Sequence, residues 1–244
     1  MSDRTEGYNE LFAGSEPTPI MQWLVEESPG TAVMSTSFGI YSSAFLHLVT
    51  RFIPDIPVLW VDTGYLPPET YVFADRLVKL FGLNLKVHQS QMSPARMEAL
   101  YGKIWESEDV AQVDRYDLVR KVAPMRRALE DEKADFWLAG LRRGQTDIRN
   151  RMNLFEEQNG VVKISLILEW STKDVLAYLR KHDLPLHPLY EKGYATVGDS
   201  HSSRPMSAED NHERETRFRG KKQECGLHLE LSEAQLKSLD SSSL

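Results

Sequence analysis

The chain of 244 residues predicts an α/β fold built on a parallel sheet. Two observations carry this. Short runs such as "TAVMST", "IPVLWVD" and "ADFWLAG" are continuously apolar, the pattern of strands buried on both faces. Amphipathic helical stretches lie between several of them, and strand, loop and helix in repetition are the mark of βαβ units.

Each element has its own justification. Residues 1–19 are polar, with Gly14, Pro17 and Pro19, and are expected to be a flexible lead-in. "IMQWLVEES" has helical apolar spacing and stops before Pro29-Gly30. "TAVMST" is the first strand, followed by the small-residue loop "STSFGIYSS" and a helix over "SAFLHLVTRF". "IPVLWVD" is the second strand and runs into "TGYLPPETY", where Pro67 and Pro68 suit the first turn of a helix ending at Gly82. "LNLKVHQ" alternates as a strand does, and "ADFWLAG" and "VVKISLIL" are further strands. "STKDVLAYLRKHD" is an amphipathic helix with Ser171 or Thr172 as its N-cap. From about residue 190 the patterning fades, so residues 20–190 are expected to form the α/β domain and 191–228 a functional segment laid over it. Residues 229–244 form a C-terminal extension with some helical spacing.

A hydrophobic fraction of 41% supports a globular core, and a net charge of -7 argues against a coat for nucleic acid polymers. The basic residues nevertheless cluster: Arg142, Arg143, Arg149 and Arg151 in one place, Arg214, Arg217, Arg219, Lys221 and Lys222 in another. Local basic clusters on an acidic protein fit a small, highly charged anion, or solvated surface. The single cysteine excludes an intrachain disulfide and a cysteine-rich metal site, and fits a reducing compartment. No apolar run approaches the ~20 residues needed to span a membrane. The start "MSDRTEGYNELF" lacks the basic and apolar regions of a secretory signal. The expected location is cytoplasmic, or an organelle if a transit peptide has been removed.

Three strand ends carry suggestive loops, at the place where open α/β sheets collect ligands. In "STSFGIYSS", Ser35, Ser37 and Gly39 lead into a helix N-terminus, which makes either an anion cradle or a serine-rich turn. In "VDTGYLPPETY", Asp62 with Thr63 and Gly64 reads as a helix cap or as a contact to ribose or metal. In "AGLRRGQTDIR", Arg142, Arg143 and Arg149 follow a strand end, and the guanidinium fork suits phosphate and sulfate oxygens.

Together "STSFGI", "VDTGYLPPETY", "KVAPMRRAL", "AGLRRGQTDIR", "GYATVGDSHSSRP" and "ETRFRGKKQECGLH" stand in the order found in phosphoadenylyl-sulfate (PAPS) reductases. The chain resembles that family over roughly residues 20–228. The resemblance implies the adenine-nucleotide α-hydrolase type of fold, a Rossmann-like parallel sheet, with 20–190 as the nucleotide-binding domain and 191–228 as an active-site loop and mobile catalytic tail. It implies thiol-dependent reduction of PAPS to sulfite and adenosine 3′,5′-bisphosphate, with reduced thioredoxin or glutaredoxin as donor, in a homodimer. It places Ser35, Ser37 and Gly39 at the phosphosulfate, Lys121, Arg149, Arg214 and Arg217 on phosphate or sulfate oxygens, His228 beside them when the tail closes, and Cys225 as nucleophile.

Related reductases acting on adenylyl sulfate (APS) hold a 4Fe–4S cluster on a Cys-Cys pair and a later Cys-x-x-Cys. This chain has Tyr116 and Asp117 at the first site, Asp199 and Ser202 at the second. One cysteine cannot supply four thiolate ligands, so no cluster and no other metal or bound cofactor is expected. A cluster-free APS reductase, making sulfite and AMP, stays open as an alternative.

The expected chemistry is thiolate attack on the electrophilic sulfuryl sulfur, giving Cys225 S-sulfonate. Lys221, Lys222 and Arg217 would favour the thiolate and Glu224 would oppose it. A second thiol must then release sulfite, and with one cysteine in the chain an external dithiol must bring it. His47, His88, His182 and His187 read as structural, His201 and His212 as undecided, and Trp60, Trp105, Trp137 and Trp170 as packing residues. An ATP pyrophosphatase would need paired glycines that "STSFGI" lacks. A nucleotide-sensing partner of thioredoxin would not need Cys225.

Overall fold

A computed structural model describes residues 3–28, 30–158, 160–210, 212–218, 222 and 224–228. Six strands form one sheet: β1 (Ala32–Ser35), β2 (Pro57–Asp62), β3 (Asn84–Gln89), β4 (Phe136–Leu138), β5 (Phe155–Gln158) and β6 (Val161–Ile164). Their spatial order is β3-β2-β1-β4-β6-β5, parallel throughout except that β5 pairs antiparallel with β6 at one edge.

Alternation along the strands builds two cores. Met34, Val58, Trp60, Phe136 and Leu138 face one side. There they meet α1 (Asp3–Leu11), α2 (Pro17–Glu26), α3 (Ser42–Thr50) and α4 (Pro68–Phe81) through side chains such as Phe12, Ile20, Leu46 and Phe73. Val33, Leu59 and Trp137 face the other side. On that side the connection after β3 holds α5 (Pro94–Tyr101), α6 (Val110–Asp117) and α7 (Ala123–Asp131), and α7 supplies Met125, Ala128 and Leu129. Two further helices, α8 (Asp147–Asn150) and α9 (Thr172–Lys181), follow β4 and β6. Ser171 caps α9 in a reciprocal box with Asp174, as its sequence suggests.

Three expectations need correction. Residues 1–19 are not simply a lead-in. Helix α1 lies in them, with Tyr8 against Trp23 at 4.8 Å between ring centroids. Asn9 exchanges hydrogen bonds with the backbone of Phe155, at 2.8 and 3.0 Å, and so occupies polar groups of the edge strand. The polar composition concealed this because two aromatic residues carry the packing. Second, "VVKISLIL" is a strand only to Ile164, and its antiparallel partner β5 went unread because "FEEQ" is half charged. Third, the sequence pattern passes from "LNLKVHQ" to "ADFWLAG" without a further element, whereas residues 94–131 hold α5 to α7. Between α6 and α7 the helix widens into a π-turn over Leu118–Val122. Pro124 just beyond it has no N–H to give to the preceding turn, which fits the interruption there. The extension 229–244, Arg219 and Lys221 lie outside the described residues.

His187 is structural as expected. Its Nδ1 accepts from the Leu189 N–H at 3.1 Å and its Nε2 lies 3.1 Å from Thr70 Oγ1. Burial lowers its pKa from 6.5 to about 4, so the folded state holds it neutral. The unfolded chain binds the extra proton first as pH falls. Stability is therefore complete above pH 6.5 and declines toward about pH 4. The expected loss is on the order of 2 kcal/mol. Thermal melts across that window should show the decline, and His187→Gln should flatten it.

Candidate active site

The chain leaves β1 toward β2 on one side, while β4 lies on the other. The carboxyl ends of β1 and β4 therefore face a crevice where the connections diverge, the usual ligand position in open α/β sheets. A cavity of about 280 Å³ opens there.

The loop after β1 forms one wall with Ser35, Ser37, Gly39 and Ser42. Phe38 anchors it. The residue has φ 47°, is fully buried, and meets Trp60 edge-on at 4.9 Å. A non-glycine residue held in that conformation is strain maintained by its packing. Ser35 Oγ accepts a hydrogen bond from Trp137 Nε1 at 2.8 Å.

The loop after β4 forms the opposite wall. Gly140 approaches Phe45 so closely that a Cβ there would stand 3.1 Å from the ring. Arg142 is 4% exposed, donates through Nη1 to Thr172 Oγ1 at 3.0 Å and lies 5.5 Å over the Tyr41 ring. Its Nη2 makes no hydrogen bond and stands 3.7 Å from the Glu213 carboxylate. Burial lowers the Arg142 pKa, and it raises that of Tyr41 to about 12 with Glu213 adding to the rise. Ser42 Oγ is likewise buried without a hydrogen-bond partner.

Three expected site residues do not reach the cavity wall. Arg143 turns outward to Glu169 at 2.7 Å and to the Asn150 carbonyl at 2.6 Å. Asp62 is a local organiser, accepting from Gly64 N, Tyr71 Oη and Gln89 Nε2 at 2.7–2.8 Å. Gly64 provides the turn, with φ 76° and Pro94 where a Cβ would stand. The neighbour Thr63 lines the cavity instead and donates to Asp199 Oδ1.

Lys121 comes from the π-turn, whose widened backbone carries it inward beside the buried Arg120. Its Nζ lies 2.7 Å from both Asp117 and Asp199. Burial opposes the charge, but the two carboxylates outweigh it and hold the ammonium above its ordinary pKa. Asp199, also buried, is held far below the usual carboxylate range by Lys121. Tyr116 completes this corner, its hydroxyl 3.0 Å from His201 Nε2. Thus Tyr116, Asp117, Asp199 and Ser202, read as replacements for cluster ligands, include two members of a buried ion-pair network. His201 stacks on Trp105 at 4.5 Å, and His212 caps the turn at Arg214, so both are structural.

The segment after residue 190 brings Arg214 and Arg217. Arg217 packs on Gly198, where even a methyl group would lie 2.1 Å from the guanidinium. Its Nε donates to the Ser202 carbonyl at 3.2 Å. Phe218, unnoticed in the sequence, lies beneath both Arg217 and Lys121, at 4.9 and 5.4 Å. Burial lowers the Arg214 pKa to about 10, with Arg217 and Arg149 adding to the effect.

Cys225 lines the same cavity, half-buried, within electrostatic reach of Lys121, Arg214 and Arg217. Glu224 does not simply oppose it. Its carboxylate takes a two-point contact from Arg149, at 2.6 and 2.9 Å, plus the Thr146 hydroxyl at 2.9 Å and Arg214 at 3.6 Å. Burial would raise its pKa, but Arg149 outweighs that and lowers it. A carboxylate thus occupies the fork expected to take a substrate oxyanion. Lys222 is engaged elsewhere, with Asp117 and Asp114. His228 lines the cavity and stacks on Trp137 at 5.1 Å, and burial keeps its ring neutral. Lys121, Arg142, Arg149, Arg214 and Arg217 line the cavity with Asp199 and Glu224, while Asp117 and Glu213 stand behind Lys121 and Arg142. This excess of cations beside one thiol suits an anionic substrate open to nucleophilic attack.

The profile of the phosphoadenosine phosphosulfate reductase domain matches residues 31–205. The chain belongs to that family. Its similarity to phosphoadenosine 5′-phosphosulfate reductase of Synechococcus is 56% identity over 221 residues, 91% of this chain and 95% of the relative. The Xylella fastidiosa enzyme of the same name is 46% identical over 206 residues, 84% of this chain and 86% of that one. Among solved structures, PAPS reductase from Candida auris, a phosphate complex, superposes with TM-score 0.71 at 24% identity, covering 84% of this chain and 98% of that chain. Yeast FAD synthetase, covering 84% of this chain and 70% of its own, gives 0.55 at 12% identity. The sheet is thus that of the adenine-nucleotide α-hydrolase type, shared by reductase and synthetase alike. No helix among the described residues is long and apolar enough to cross a membrane.

Proposed function

We propose that this protein reduces PAPS to sulfite and adenosine 3′,5′-bisphosphate in sulfate assimilation, using an external dithiol protein. The observation that carries the reading is the chain's one cysteine seated in a cation-lined cavity at the sheet's switch point.

The residues suggest how. Lys121, Arg214 and Arg217 hold the phosphosulfate beside Cys225. The thiolate sulfur attacks the sulfuryl sulfur. An S–S bond forms, the bond from sulfur to the bridging oxygen breaks, and the electron pair leaves on the nucleotide phosphate, where the cations stabilise it. A thiolate of reduced thioredoxin or glutaredoxin then attacks the Cys225 sulfur. Sulfite departs with the S–S electron pair, and the carrier's second thiol resolves the mixed disulfide, so the carrier is oxidised by two electrons. The tail must open for this exchange, and Glu224 must yield Arg149 and Arg214 if they are to bind substrate. The functional unit is a homodimer in this reading.

PAPS is favoured over APS by a second place for an anion. Ser42 Oγ and Arg142 Nη2 are buried in the cavity wall without hydrogen-bond partners, with the Glu213 carboxylate 3.7 Å from the latter. Buried polar atoms of this kind call for a ligand, and the 3′-phosphate fits them. The test is sulfite release from PAPS and from APS with reduced thioredoxin. PAPS should be the better substrate, and Arg142→Met should lower its kcat/KM by about a hundredfold while changing APS turnover far less. Equal turnover of both nucleotides by the wild type would favour APS reduction instead.

A further inference from the structure

We infer that Lys163 and Gln158 form a latch that holds the tail closed and thereby positions Cys225. Neither residue lines the cavity, and the chemistry above does not use them. Lys163 is a lysine 2% exposed, on a strand paired on both sides. Such burial needs compensation. Glu156, its cross-strand partner, stands 3.0 Å from Nζ, and Gln158 Oε1 accepts from it at 3.1 Å. The third contact is to the tail: Nζ donates to the His228 carbonyl at 3.2 Å. With its oxygen thus oriented, the Gln158 amide turns its Nε2 toward the Leu227 carbonyl, 3.0 Å away. Two adjacent tail carbonyls are therefore held by the β5–β6 hairpin. Leu227 packs against the core around Trp137, and the His228 ring stacks on Trp137 itself.

Cys225 is consequently pinned on both sides. Upstream, Glu224 sits on Arg149, a hold that a substrate anion contests. Downstream, across the turn at Gly226 with φ 81°, the tail is fastened through backbone carbonyls to groups that face no substrate. Lys222 stays on Asp117 and Asp114 further upstream, but next to the thiol itself the downstream hold is the one that survives when substrate takes the arginines, so it keeps the thiol in place for attack. These are positioning residues, and their loss should shift the tail toward an open population.

The experiment compares the wild type with Lys163→Met, which keeps the stem and removes the ammonium, and Gln158→Leu, at the end of an edge strand. Three readings are taken: Cys225 alkylation by iodoacetamide in the resting enzyme, single-turnover S-sulfonation by PAPS, and the Kd for adenosine 3′,5′-bisphosphate. Alkylation should rise about tenfold and sulfonation fall about tenfold, the size of one hydrogen bond to a charged donor, with Kd within about twofold. Folded variants whose alkylation stays near wild type overturn the latch. So does a loss of sulfonation matched by an equal loss of nucleotide affinity, since that marks damage to the sheet. Should Lys163→Met not melt cooperatively, Gln158→Leu decides. Should neither fold, amide exchange in the wild type decides: slow exchange across 224–228 without nucleotide supports the latch, and fast exchange overturns it. The sulfonation arm rests on the proposed reaction. If PAPS leaves wild-type Cys225 unmodified, that reaction fails, while the alkylation ratio still judges the latch.

Discussion

Cys225→Ser is expected to reduce sulfite release from PAPS by about ten-thousandfold or more. The sequence holds one cysteine, so no neighbouring thiol can substitute for it. A serine hydroxyl ionises far less readily, and an oxygen attacking the sulfuryl group would form a sulfate ester instead of an S–S bond. Such an ester gives a dithiol no sulfur–sulfur bond to break, so even slow attack would not yield sulfite. Binding should survive, because Lys121, Arg142 and Arg217 do not depend on the thiol for position. Calorimetry with adenosine 3′,5′-bisphosphate should give a Kd within about twofold of wild type. A parallel loss of binding would mean that the thiol organises the cavity and does not only react in it.

The second large effect is expected at Lys121, whose replacement by Met should cost roughly 3–5 kcal/mol of stability. The ammonium stands between two carboxylates that are almost wholly buried, with side chains 3% and 0% exposed. Removing it leaves Asp199 with the Thr63 and Tyr116 hydroxyls and the nearby charge of Arg217, and Asp117 with Lys222. The melting temperature should fall by about 10 °C. The pH dependence identifies the cause. In the wild type the Asp199 carboxyl is held far below 3.8, so its stabilisation is present at every pH above that value and is lost as pH falls below it. Without Lys121 burial dominates and raises the same carboxyl. The variant is then helped by protonation, and its deficit should shrink as pH falls. A deficit that does not vary with pH would point to packing on Phe218 instead. The rate with PAPS should also drop, because the same ammonium lines the cavity beside Cys225.

What was legible in the sequence was whatever a period or a motif could record. The central strands are apolar on both faces, so β1, β2 and β4 were plain, and their carboxyl ends marked three candidate ligand loops; the strand order that makes β1 and β4 the switch point is visible only in the fold. Ser35, Ser37, Gly39, Lys121, Arg142, Arg149, Arg214, Arg217, Cys225 and His228 all line one cavity. Where the reading failed, one residue type had two uses. Arg142 and Arg143 are adjacent, yet one points inward and the other outward, which no composition argument separates. Asp62 at a strand end could cap or bind, but α4 is capped at Pro67, and the Asp62 carboxylate instead ties together Gly64, Tyr71 and Gln89. Phe218, Gln158 and Lys163 were invisible for another reason. Their roles exist only between segments 65 residues or more apart for the tail contacts, and across elements for Phe218 and Lys121. The one available signal was a lysine inside "VVKISLIL", a charge in an apolar run that required a buried partner.

The most direct measurement is the intact mass of the protein after incubation with PAPS in the absence of any reductant, followed by peptide mapping. One SO₃ group should be gained per chain, located on Cys225, with an equal amount of adenosine 3′,5′-bisphosphate released. Reduced thioredoxin should then return the protein to its starting mass and liberate that amount of sulfite. Sulfite formed in full from an enzyme whose Cys225 never carries the added group would contradict the account.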